Sequence, residues 1–364
     1  MATTVKPSDK VRIGIIGCGG IATSKHLPAL HKLSNIEMVA FCDLIRSRAE
    51  SAAKNYGTPD AKVYENYKEL LEDKTIDVVH VLTPNRSHSF ISVDAMEAGK
   101  HVMCEKPMAM NAAEAQAMLD AAKRNDRLLM IGFVRRFGND CTIAKDLIEH
   151  DRMGDIYYAK ATYLRRNGCP GGWFGDKARS GGGPLIDLGV HVIDLTRYLM
   201  GKPKPVSIYG ATFHKLGDRR SIKSERGYVS ATQEDGGPIF NVEDLASAMI
   251  RYDNGAVLQV EASFSLNLEK DTGTIELFGD KGGLRLDPEL TYFGEMDGYM
   301  TNVTLAAKTA LSFDGLFANE INHFVHCVQT GEPCRNPAED GVEMMKILDA
   351  VYESAATGHE VILK

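Results

Sequence analysis

The chain has 364 residues, of which 44% are hydrophobic and 25% are charged, a composition typical of a globular protein with room for two domains. A formal net charge of −7, without a dense Lys/Arg block, argues against nucleic acid as a partner, and no apolar run approaches the roughly 20 residues of a membrane helix. The opening MATTVKPSDK lacks the apolar core of a signal peptide, and the seven cysteines form no C-x-x-C pair. We therefore expect a cytoplasmic protein with reduced thiols and no metal site.

The first third of the chain alternates short β-rich runs with helical patterns. The runs VRIGIIG, IEMVAFCD, IDVVHVL, HVMCE and LLMIGF predict strands buried on both faces, and RAESAAKNYG and AAEAQAMLDAAKRN predict helices. Strands that alternate with helices imply right-handed crossovers and a parallel sheet. We place this α/β domain at residues 1–132.

A glycine-rich turn follows the first predicted strand and opens a helix. In GCGGIA, Gly17, Gly19 and Ala22 have G-x-G-x-x-A spacing, with Gly20 and Ile21 between them. Glycine allows the tight turn and the close approach of backbone to a pyrophosphate, and the helix N-terminus supplies N–H groups. Asp43 ends the next strand, where a carboxylate accepts hydrogen bonds from a ribose. The alternative is a simple glycine turn with a helix-capping aspartate.

Polar residues follow the next two predicted strands. TPNRSH contributes Thr83, Asn85 and His88, and EKP contributes Glu105 and Lys106. In a doubly wound sheet, ligands bind at the carboxyl ends of the strands, so we expect these side chains to face a dinucleotide. A lysine held there can stabilise a developing alkoxide. The alternative for Lys106 is a surface lysine paired with Glu105.

After Gly132 the pattern changes to an α+β domain, which we place at residues 133–364. A helix is predicted near Thr142 to His150, followed by the strand runs IYYAKATYLRR, LASAMIRYD, AVLQVEASFSL and TGTIELFGD. NGA and DKGG predict hairpin turns, so the sheet is expected to be largely antiparallel. Residues 216–238 are predicted to form a polar loop. The tail from Phe317 to Ala356 is predicted to be helical, and its helices are candidates for packing on the first domain.

The stretch SGGGPLIDLGVHVIDL combines a glycine run with a helical pattern. Asp187, His191 and Asp194 stand at i, i+4 and i+7, which predicts that they share one side of the helix. The alternative is that Asp187 caps the helix, His191 is a core histidine and Asp194 faces water.

Taken in this order, GIIGCGGIA, TPNRSH, EKP, GFVRRF and GGGPLIDLGVH resemble the glucose–fructose oxidoreductase/inositol dehydrogenase/rhizopine-catabolism family. The resemblance covers nearly the whole chain, including NVEDLASAMIRYDNGA and the C-terminal helices. It implies an N-terminal Rossmann domain followed by an α/β domain with a large open sheet. Members mostly oxidise or reduce sugar and polyol carbons with NAD or NADP.

By this resemblance, Asp187 and His191 match the catalytic Asp and His, and Lys106 matches the lysine of EKP. His191 then accepts the hydroxyl proton, Asp187 orients the substrate or the imidazole, and Lys106 polarises the alkoxide. No metal is required. The glycines before the helix would leave room for substrate and nicotinamide, and Asp194 would be structural.

Four further residues are candidates for substrate binding. Arg135, Arg165 and Asn167 fall where polyol dehydrogenases of the family place polar groups, and Trp173 is a candidate for stacking on a sugar, with core packing as its alternative. The chain carries Arg165 where the inositol dehydrogenases have histidine, and NLEKDT where they carry a tyrosine. These departures argue against inositol itself.

The leading hypothesis is a dehydrogenase acting on a secondary hydroxyl of a sugar, glycoside or polyol, for example at C3 of a glycoside ring. The alternatives are an NAD-dependent glycosidase that oxidises the sugar transiently, and a non-catalytic nucleotide-binding regulator. Asp43 predicts NAD rather than NADP, although Arg46 and Arg48 are candidate phosphate ligands. A homodimer, homotetramer or higher homo-oligomer is expected, because the predicted sheet has few helices to cover its two faces.

Overall fold

The computed structural model of the protein describes residues 5–6, 9–223, 230 and 239–363. The chain divides into two compact units. The first comprises Met1–Val134 and Asp314–Met345, and the second comprises Arg135–Phe313 and Lys346–Lys364. The division into a cofactor-binding domain, residues 1–132, and a substrate-binding domain, residues 133–364, stays a prediction.

The first unit contains a six-stranded, entirely parallel sheet with the order β3-β2-β1-β4-β5-β6. This order reverses beside β1, and such a reversal is where doubly wound folds bind dinucleotides. The predicted parallel sheet is confirmed, with one further short strand, β3. The strands are β1 (Val11–Ile16), β2 (Ile36–Cys42), β3 (Lys62–Tyr64), β4 (Val78–Val81), β5 (His101–Cys104) and β6 (Leu129–Ile131).

Five helices of this unit connect its strands. The clearest start signal belongs to the fifth, where the Asn111 side chain accepts the Glu114 N–H at 2.9 Å and donates to the Glu114 carboxylate at 3.0 Å. This reciprocal cap satisfies a backbone donor that the first turn leaves open. The helices are α1 (Leu27–Leu30), α2 (Arg46–Tyr56), α3 (Tyr67–Glu72), α4 (His88–Glu97) and α5 (Ala112–Arg124).

The second unit contains a nine-stranded sheet with the order β14-β13-β12-β11-β7-β10-β9-β8-β15. Its pairs are antiparallel except for β7 with β10, so the mostly antiparallel sheet is confirmed. The strands are β7 (Ile156–Leu164), β8 (Pro205–Phe213), β9 (Leu245–Tyr252), β10 (Val257–Ser263), β11 (Thr272–Gly279), β12 (Gly283–Leu286), β13 (Thr291–Met296), β14 (Tyr299–Thr304) and β15 (Val361–Ile362).

One face of this sheet is buried and the other is half open. This unit includes the helices α6 (Asn139–Glu149), α7 (Lys177–Ser180) and α8 (Val190–Leu199). Helix α8 packs against β7 and β11. Alternate residues of the central strands are buried beneath it, as the period of two requires. The opposite face carries a row of cross-strand neighbours, one from each of five adjacent strands: Tyr209, Met249, Gln259, Lys160 and Glu276.

The predicted helical tail consists of two helices. Helix α9 (Leu316–Thr330) ends at Gly331, which adopts φ 75°, and α10 (Ala338–Thr357) follows. Of the predicted loop at 216–238, residues 216–223 contain no helix or strand, and 224–229 and 231–238 lie outside the described residues. Among the described helices, none has both the length and the apolar character needed to cross a bilayer.

Candidate functional site

Gly17 turns the chain directly after β1. It adopts φ +93°, and its N–H donates to the Cys42 carbonyl at 2.8 Å. A Cβ at this position would lie 2.6 Å from the Leu82 carbonyl oxygen. Both the positive φ and the close approach exclude other residues, so the first glycine of the motif is required by the local fold.

Gly19 and the helix that follows provide an open, donor-rich surface. A Cβ built on Gly19 meets no atom within 4 Å. Residues 20–30, which include Gly20, Ile21 and Ala22, are helical, with a π-helical segment at Ala22–His26. A helix N-terminus beside an open glycine fits the pyrophosphate of a dinucleotide.

Asp43 fastens this loop from the end of β2. Its carboxylate accepts the N–H groups of Cys18 and Ile45, each at 2.8 Å. Burial, assisted by the Asp43 charge, raises the pKa of the Cys18 thiol to about 12. Cys18 is therefore protonated at neutral pH, and the half-buried carboxylate of Asp43 is the charged group at this strand end.

The loop after β4 is held by a buried histidine. The His88 ring is 1% exposed, with Nδ1 2.8 Å from the Pro107 carbonyl and Nε2 2.7 Å from the Thr83 carbonyl. Burial lowers the pKa of His88 and so favours the neutral ring. A neutral ring donates to only one of these two carbonyl oxygens. Asn85 is buried in the turn between them, and the Ser87 hydroxyl donates to the Thr83 hydroxyl at 2.8 Å. His88 thus links the loop after β4 to the one after β5, and direct cofactor contact by it stays a prediction.

Glu105, at the end of β5, is paired with a residue of the glycine-loop helix. Its Oε1 lies 2.7 Å from His26 Nε2, and its Oε2 accepts the Lys106 N–H at 3.1 Å. Burial alone would raise the pKa of Glu105, but the contact with His26 outweighs it, so the pKa is lowered. The carboxylate is therefore charged at neutral pH. Lys106 is half-buried beside it.

In the second unit, Asp187 and His191 are the accessible positions of an otherwise buried helical segment. Between residues 185 and 199, only Asp187, His191 and Tyr198 are not buried. Asp187 lies in a π-helical segment, Leu185–Gly189, which runs directly into α8. Such segments interrupt α-helices frequently at functional sites. The structure therefore places the predicted carboxylate and imidazole one turn apart, both half-buried, on a helix whose other residues are mostly buried.

Asp194 is buried, so the alternative in which it faces water is wrong. It is 2% exposed, and its two oxygens accept from Arg136 Nε at 2.9 Å and Nη2 at 2.6 Å. It follows His191 by three residues on α8, a spacing that keeps two residues on one side of a helix, so its predicted place beside Asp187 and His191 stays a prediction. Its structural role, predicted from the resemblance, agrees with the pairing.

Glycines 182 and 183 serve close packing, so the prediction that they leave room for ligands is wrong. A Cβ on Gly182 would lie 1.9 Å from the Tyr352 hydroxyl, and one on Gly183 would lie 2.3 Å from the Glu243 carbonyl oxygen. Glu243, 3% exposed, accepts the N–H groups of Gly183 at 3.0 Å and Leu185 at 3.2 Å. The Tyr352 hydroxyl donates to the same carboxylate at 2.8 Å.

Glu243 and Tyr352 are thus the residues that anchor the start of the Asp187 helix, and the sequence analysis missed both. Burial raises the pKa of Glu243. In the sequence, Glu243 is visible only as an acidic residue of NVEDLASA, in a predicted strand region. Nothing in the neighbouring sequence indicates which backbone N–H groups it binds.

Arg135 is engaged by two carboxylates. Its Nη2 lies 3.0 Å from Asp140 Oδ2 and 3.1 Å from Asp287 Oδ2. Burial opposes the charged form, but these carboxylates raise the pKa of Arg135. The contacts give the guanidinium a structural function, and substrate binding by Arg135 stays a prediction.

The other predicted substrate residues lie in the segment after β7. Arg165 donates to the Gly168 carbonyl at 3.0 Å and lies over the Tyr163 ring at 5.1 Å. Burial opposes its charge, but Tyr163 and Asp187 raise its pKa, so Arg165 is within electrostatic reach of Asp187. Asn167 is 9% exposed. Trp173 is half-buried and stacks on Phe174 with ring centroids 3.9 Å apart, so its ring already has a packing partner.

A cluster of possible metal ligands lies in the first unit. His323, Cys327 and Cys334 each offer one ligand atom, and these atoms lie within 4.8 Å of one another. The hydrogen bond from Cys334, with His323 nearby, lowers the pKa of the Cys327 thiol to about 5. The sequence analysis missed this cluster because its spacing, H-x3-C-x6-C, contains no C-x-x-C pair.

Comparison with known proteins covers both units. The model of an oxidoreductase family with an NAD-binding Rossmann fold matches residues 11–133, and the model of its C-terminal alpha/beta domain matches residues 145–363. This is the family of glucose–fructose oxidoreductase and inositol dehydrogenase that the motifs indicated.

Several relatives are named for their substrates. The chain is 34% identical to D-glucoside 3-dehydrogenase of Escherichia coli over 358 residues, which cover 98% of each chain. It is 29% identical to levoglucosan dehydrogenase of Pseudarthrobacter phenanthrenivorans over 333 residues, or 85% of each chain. A solved levoglucosan dehydrogenase in complex with NADH and levoglucosan is 26% identical, with a TM-score of 0.83 and coverage of 98% of this chain and 100% of the other.

Proposed function

Because this chain belongs to the glucose–fructose oxidoreductase/inositol dehydrogenase/rhizopine-catabolism family of oxidoreductases, we propose that it oxidises a secondary hydroxyl of a glycoside, at C3 of the sugar ring. It is an oxidoreductase acting on CH–OH groups with an NAD-binding Rossmann domain. The C3 assignment is supported by the likeness to D-glucoside 3-dehydrogenase along the whole chain. The observation that carries the proposal is the partial exposure of Asp187 and His191 on a helix whose neighbouring residues are buried.

The residues of the first unit fit a nicotinamide dinucleotide. The turn at Gly17 and the open surface at Gly19 leave space for a pyrophosphate, and Gly20, Ile21 and Ala22 begin the helix that would face it. Thr83, Asn85, His88, Glu105 and Lys106 are proposed to bind or shape the rest of the cofactor site. When bound, the cofactor supplies a hydride acceptor.

His191 is proposed as the proton acceptor. Oxidation of a secondary alcohol removes a hydride from carbon and a proton from oxygen, so a base must receive that proton. Imidazole performs this task near neutral pH. Asp187, one turn away, is proposed to hold the imidazole or a substrate hydroxyl in orientation. Anchoring of the helix start by Glu243 keeps both side chains in place.

Lys106 is proposed to stabilise the negative charge that develops on the substrate oxygen. This assignment comes from the match of EKP to the family motif. An ammonium group stabilises such a charge more strongly where its contact with water is reduced, and the half-buried position of Lys106 beside the buried Glu105 supports the proposed role.

The residues that we propose for sugar binding are Arg135, Arg165, Asn167, Trp173 and Asp187. Arg165 is the best supported of these, because it lies within electrostatic reach of Asp187. Its guanidinium offers several donors to sugar hydroxyls.

NAD is proposed as the preferred cofactor. The Asp43 carboxylate stands at the end of β2, where it accepts a ribose 2′-hydroxyl and repels a 2′-phosphate. Arg46 is paired with Glu50 at 2.9 Å on the exposed surface of α2, which makes it less available to a phosphate. We further propose a cytoplasmic homo-oligomer, because none of the seven cysteines is in a disulfide and the sheet of the second unit has exposed apolar side chains.

The test is a substrate screen of methyl and aryl glucosides, free sugars and polyols with NAD and with NADP, followed at the nicotinamide absorbance. The proposal expects reduction of NAD with glucosides and formation of a 3-oxo product. Release of the aglycone without net reduction would instead identify a glycosidase, and cofactor binding without any turnover or product would identify a regulator.

A further inference from the structure

In a part of the first unit that the proposed reaction does not use, we propose that His323, Cys327 and Cys334 form a zinc-binding site. One nitrogen and two sulfur atoms lie within 4.8 Å of one another. No other group of three or more His, Cys, Asp or Glu side chains within the described residues is arranged in this way.

The local fold explains how the three ligands meet. His323 and Cys327 are four residues apart on α9, so they share one face of the helix. The helix ends at Gly331, which takes a left-handed conformation and donates its N–H to the Cys327 carbonyl at 2.8 Å. The chain then turns back and delivers Cys334 to the same face.

One of the distances between ligand atoms matches that in a metal site. The Cys327 sulfur lies 3.5 Å from His323 Nε2. Tetrahedral zinc with bonds of about 2.3 Å to sulfur and about 2.0 Å to nitrogen separates a sulfur ligand from a nitrogen ligand by roughly 3.5 Å. His323 Nε2 accepts the Arg335 N–H at 2.9 Å, so this nitrogen carries the lone pair that a metal requires. Zinc would take the place of that donor.

The ligand types select the ion. Two thiols and an imidazole favour zinc and similar thiophilic ions over Mg²⁺ or Ca²⁺, which prefer oxygen. Cys327 is buried, but His323 and Cys334 are half-buried, which leaves the ion a route from solvent. The described part of the chain supplies three ligands, so a water molecule would complete the tetrahedron.

A zinc ion here would close the loop between α9 and α10. That loop also carries Asn336, whose side chain donates to the carbonyls of Ile131 at 3.2 Å and Phe133 at 3.3 Å at the end of β6. Metal binding would therefore restrain the loop that contacts this strand end. Since the ion binds the folded state, zinc at about 100 times its dissociation constant should raise the melting temperature by several degrees.

The experiment measures metal content and Co²⁺ binding on the reduced, full-length protein. We expect mass spectrometry to find one zinc per chain in protein purified from cells grown in zinc-containing medium. After chelation, Co²⁺ should give a thiolate charge-transfer band and tetrahedral d–d bands. Cys327→Ser, Cys334→Ser and His323→Ala should each weaken Co²⁺ binding at least about tenfold.

Two control variants should bind Co²⁺ like the wild type. One is His326→Ala, at a neighbouring histidine of α9 that is paired with Glu332. The other is Cys141→Ser, at a buried cysteine of α6.

The wild-type measurement decides the proposal even where a variant fails to fold. Wild-type protein that takes up less than a tenth of an equivalent of zinc and shows no cobalt–thiolate band would overturn it. Variants of the three ligand residues that fold and bind Co²⁺ with unchanged affinity would also overturn the proposal. A Cys327–Cys334 disulfide, formed in air by protein that binds no metal when reduced, would assign the cluster to thiol oxidation instead.

Discussion

His191 is the residue on which the proposed proton transfer depends. Replacing it with alanine removes the base but leaves the buried core of α8 intact, because the side chain is on the accessible surface. We expect His191→Ala to lower turnover by roughly 10² to 10⁴, with NAD affinity little changed, since the cofactor residues belong to the first unit. Steady-state kinetics on the best glycoside and a cofactor titration measure the two effects.

Tyr198→Phe is the matched control, because Tyr198 is the third accessible position of the same segment and has no proposed chemical role. It should keep near-wild-type turnover. Lys106→Ala should lose activity in the same range as His191→Ala. A His191→Ala enzyme with near-full activity would show that another group accepts the proton.

Cofactor choice at the residue scale depends on Asp43. Asp43→Ser removes the charge that repels a 2′-phosphate, and we expect the preference for NAD over NADP to narrow at least several-fold. Asp43 also accepts the N–H of Cys18 and Ile45, so NAD affinity should fall as well. Competition titrations of both cofactors against wild type and variant provide the measurement. Tighter binding of NADP by the wild type would contradict the role of Asp43 and implicate Arg46 and Arg48.

At the scale of elements, the start of the Asp187 helix depends on Gly182. In Gly182→Ala the new methyl group would overlap the Tyr352 hydroxyl, which is hydrogen-bonded to Glu243. We expect a loss of about 1–3 kcal/mol in the free energy of unfolding and a lower kcat, because displacement of Glu243 releases the N–H groups of Gly183 and Leu185.

Gly273→Ala is the control, since a Cβ at this position on β11 meets no atom within 4 Å. Denaturant unfolding and kinetics compare the two variants. If Gly182→Ala were as stable and active as Gly273→Ala, the packing of the glycine run against Tyr352 would not matter to the site.

The same elements show which features the sequence could predict. Strong periodicity and turn residues predicted the parallel sheet, the hairpins and α5, and the spacing of Asp187 and His191 indicated their shared surface. The buried partners could not be predicted, because Glu243 and Tyr352 are 58 or more residues from the backbone groups and glycines they contact. The burial of Asp194 could not be predicted either, because its partner Arg136 lies 58 residues away in the chain.

At the scale of the whole molecule, the open sheet face predicts assembly. Tyr209 and Met249 are cross-strand neighbours and are 54% and 52% exposed. Adjacent large apolar side chains at this exposure are typical of interaction surfaces. We expect a homo-oligomer at micromolar concentration, and we expect Tyr209→Lys combined with Met249→Lys to shift it toward the monomer.

Light scattering after size exclusion measures this equilibrium. Phe90→Lys, a 49% exposed apolar residue on α4 of the first unit, serves as the control and should leave the mass unchanged. A wild-type monomer at micromolar concentration would contradict the assembly prediction without affecting the proposed chemistry.

The most direct test of the central claim follows the hydrogen atom itself. Methyl glucoside carrying deuterium at C3 is incubated with the enzyme and NAD, and both products are analysed by mass spectrometry and NMR. The proposed function predicts deuterium on the reduced nicotinamide, a 3-oxo glycoside and an intact glycosidic bond. An oxidised product that retains deuterium at C3, or free methanol without net reduction of NAD, would contradict it.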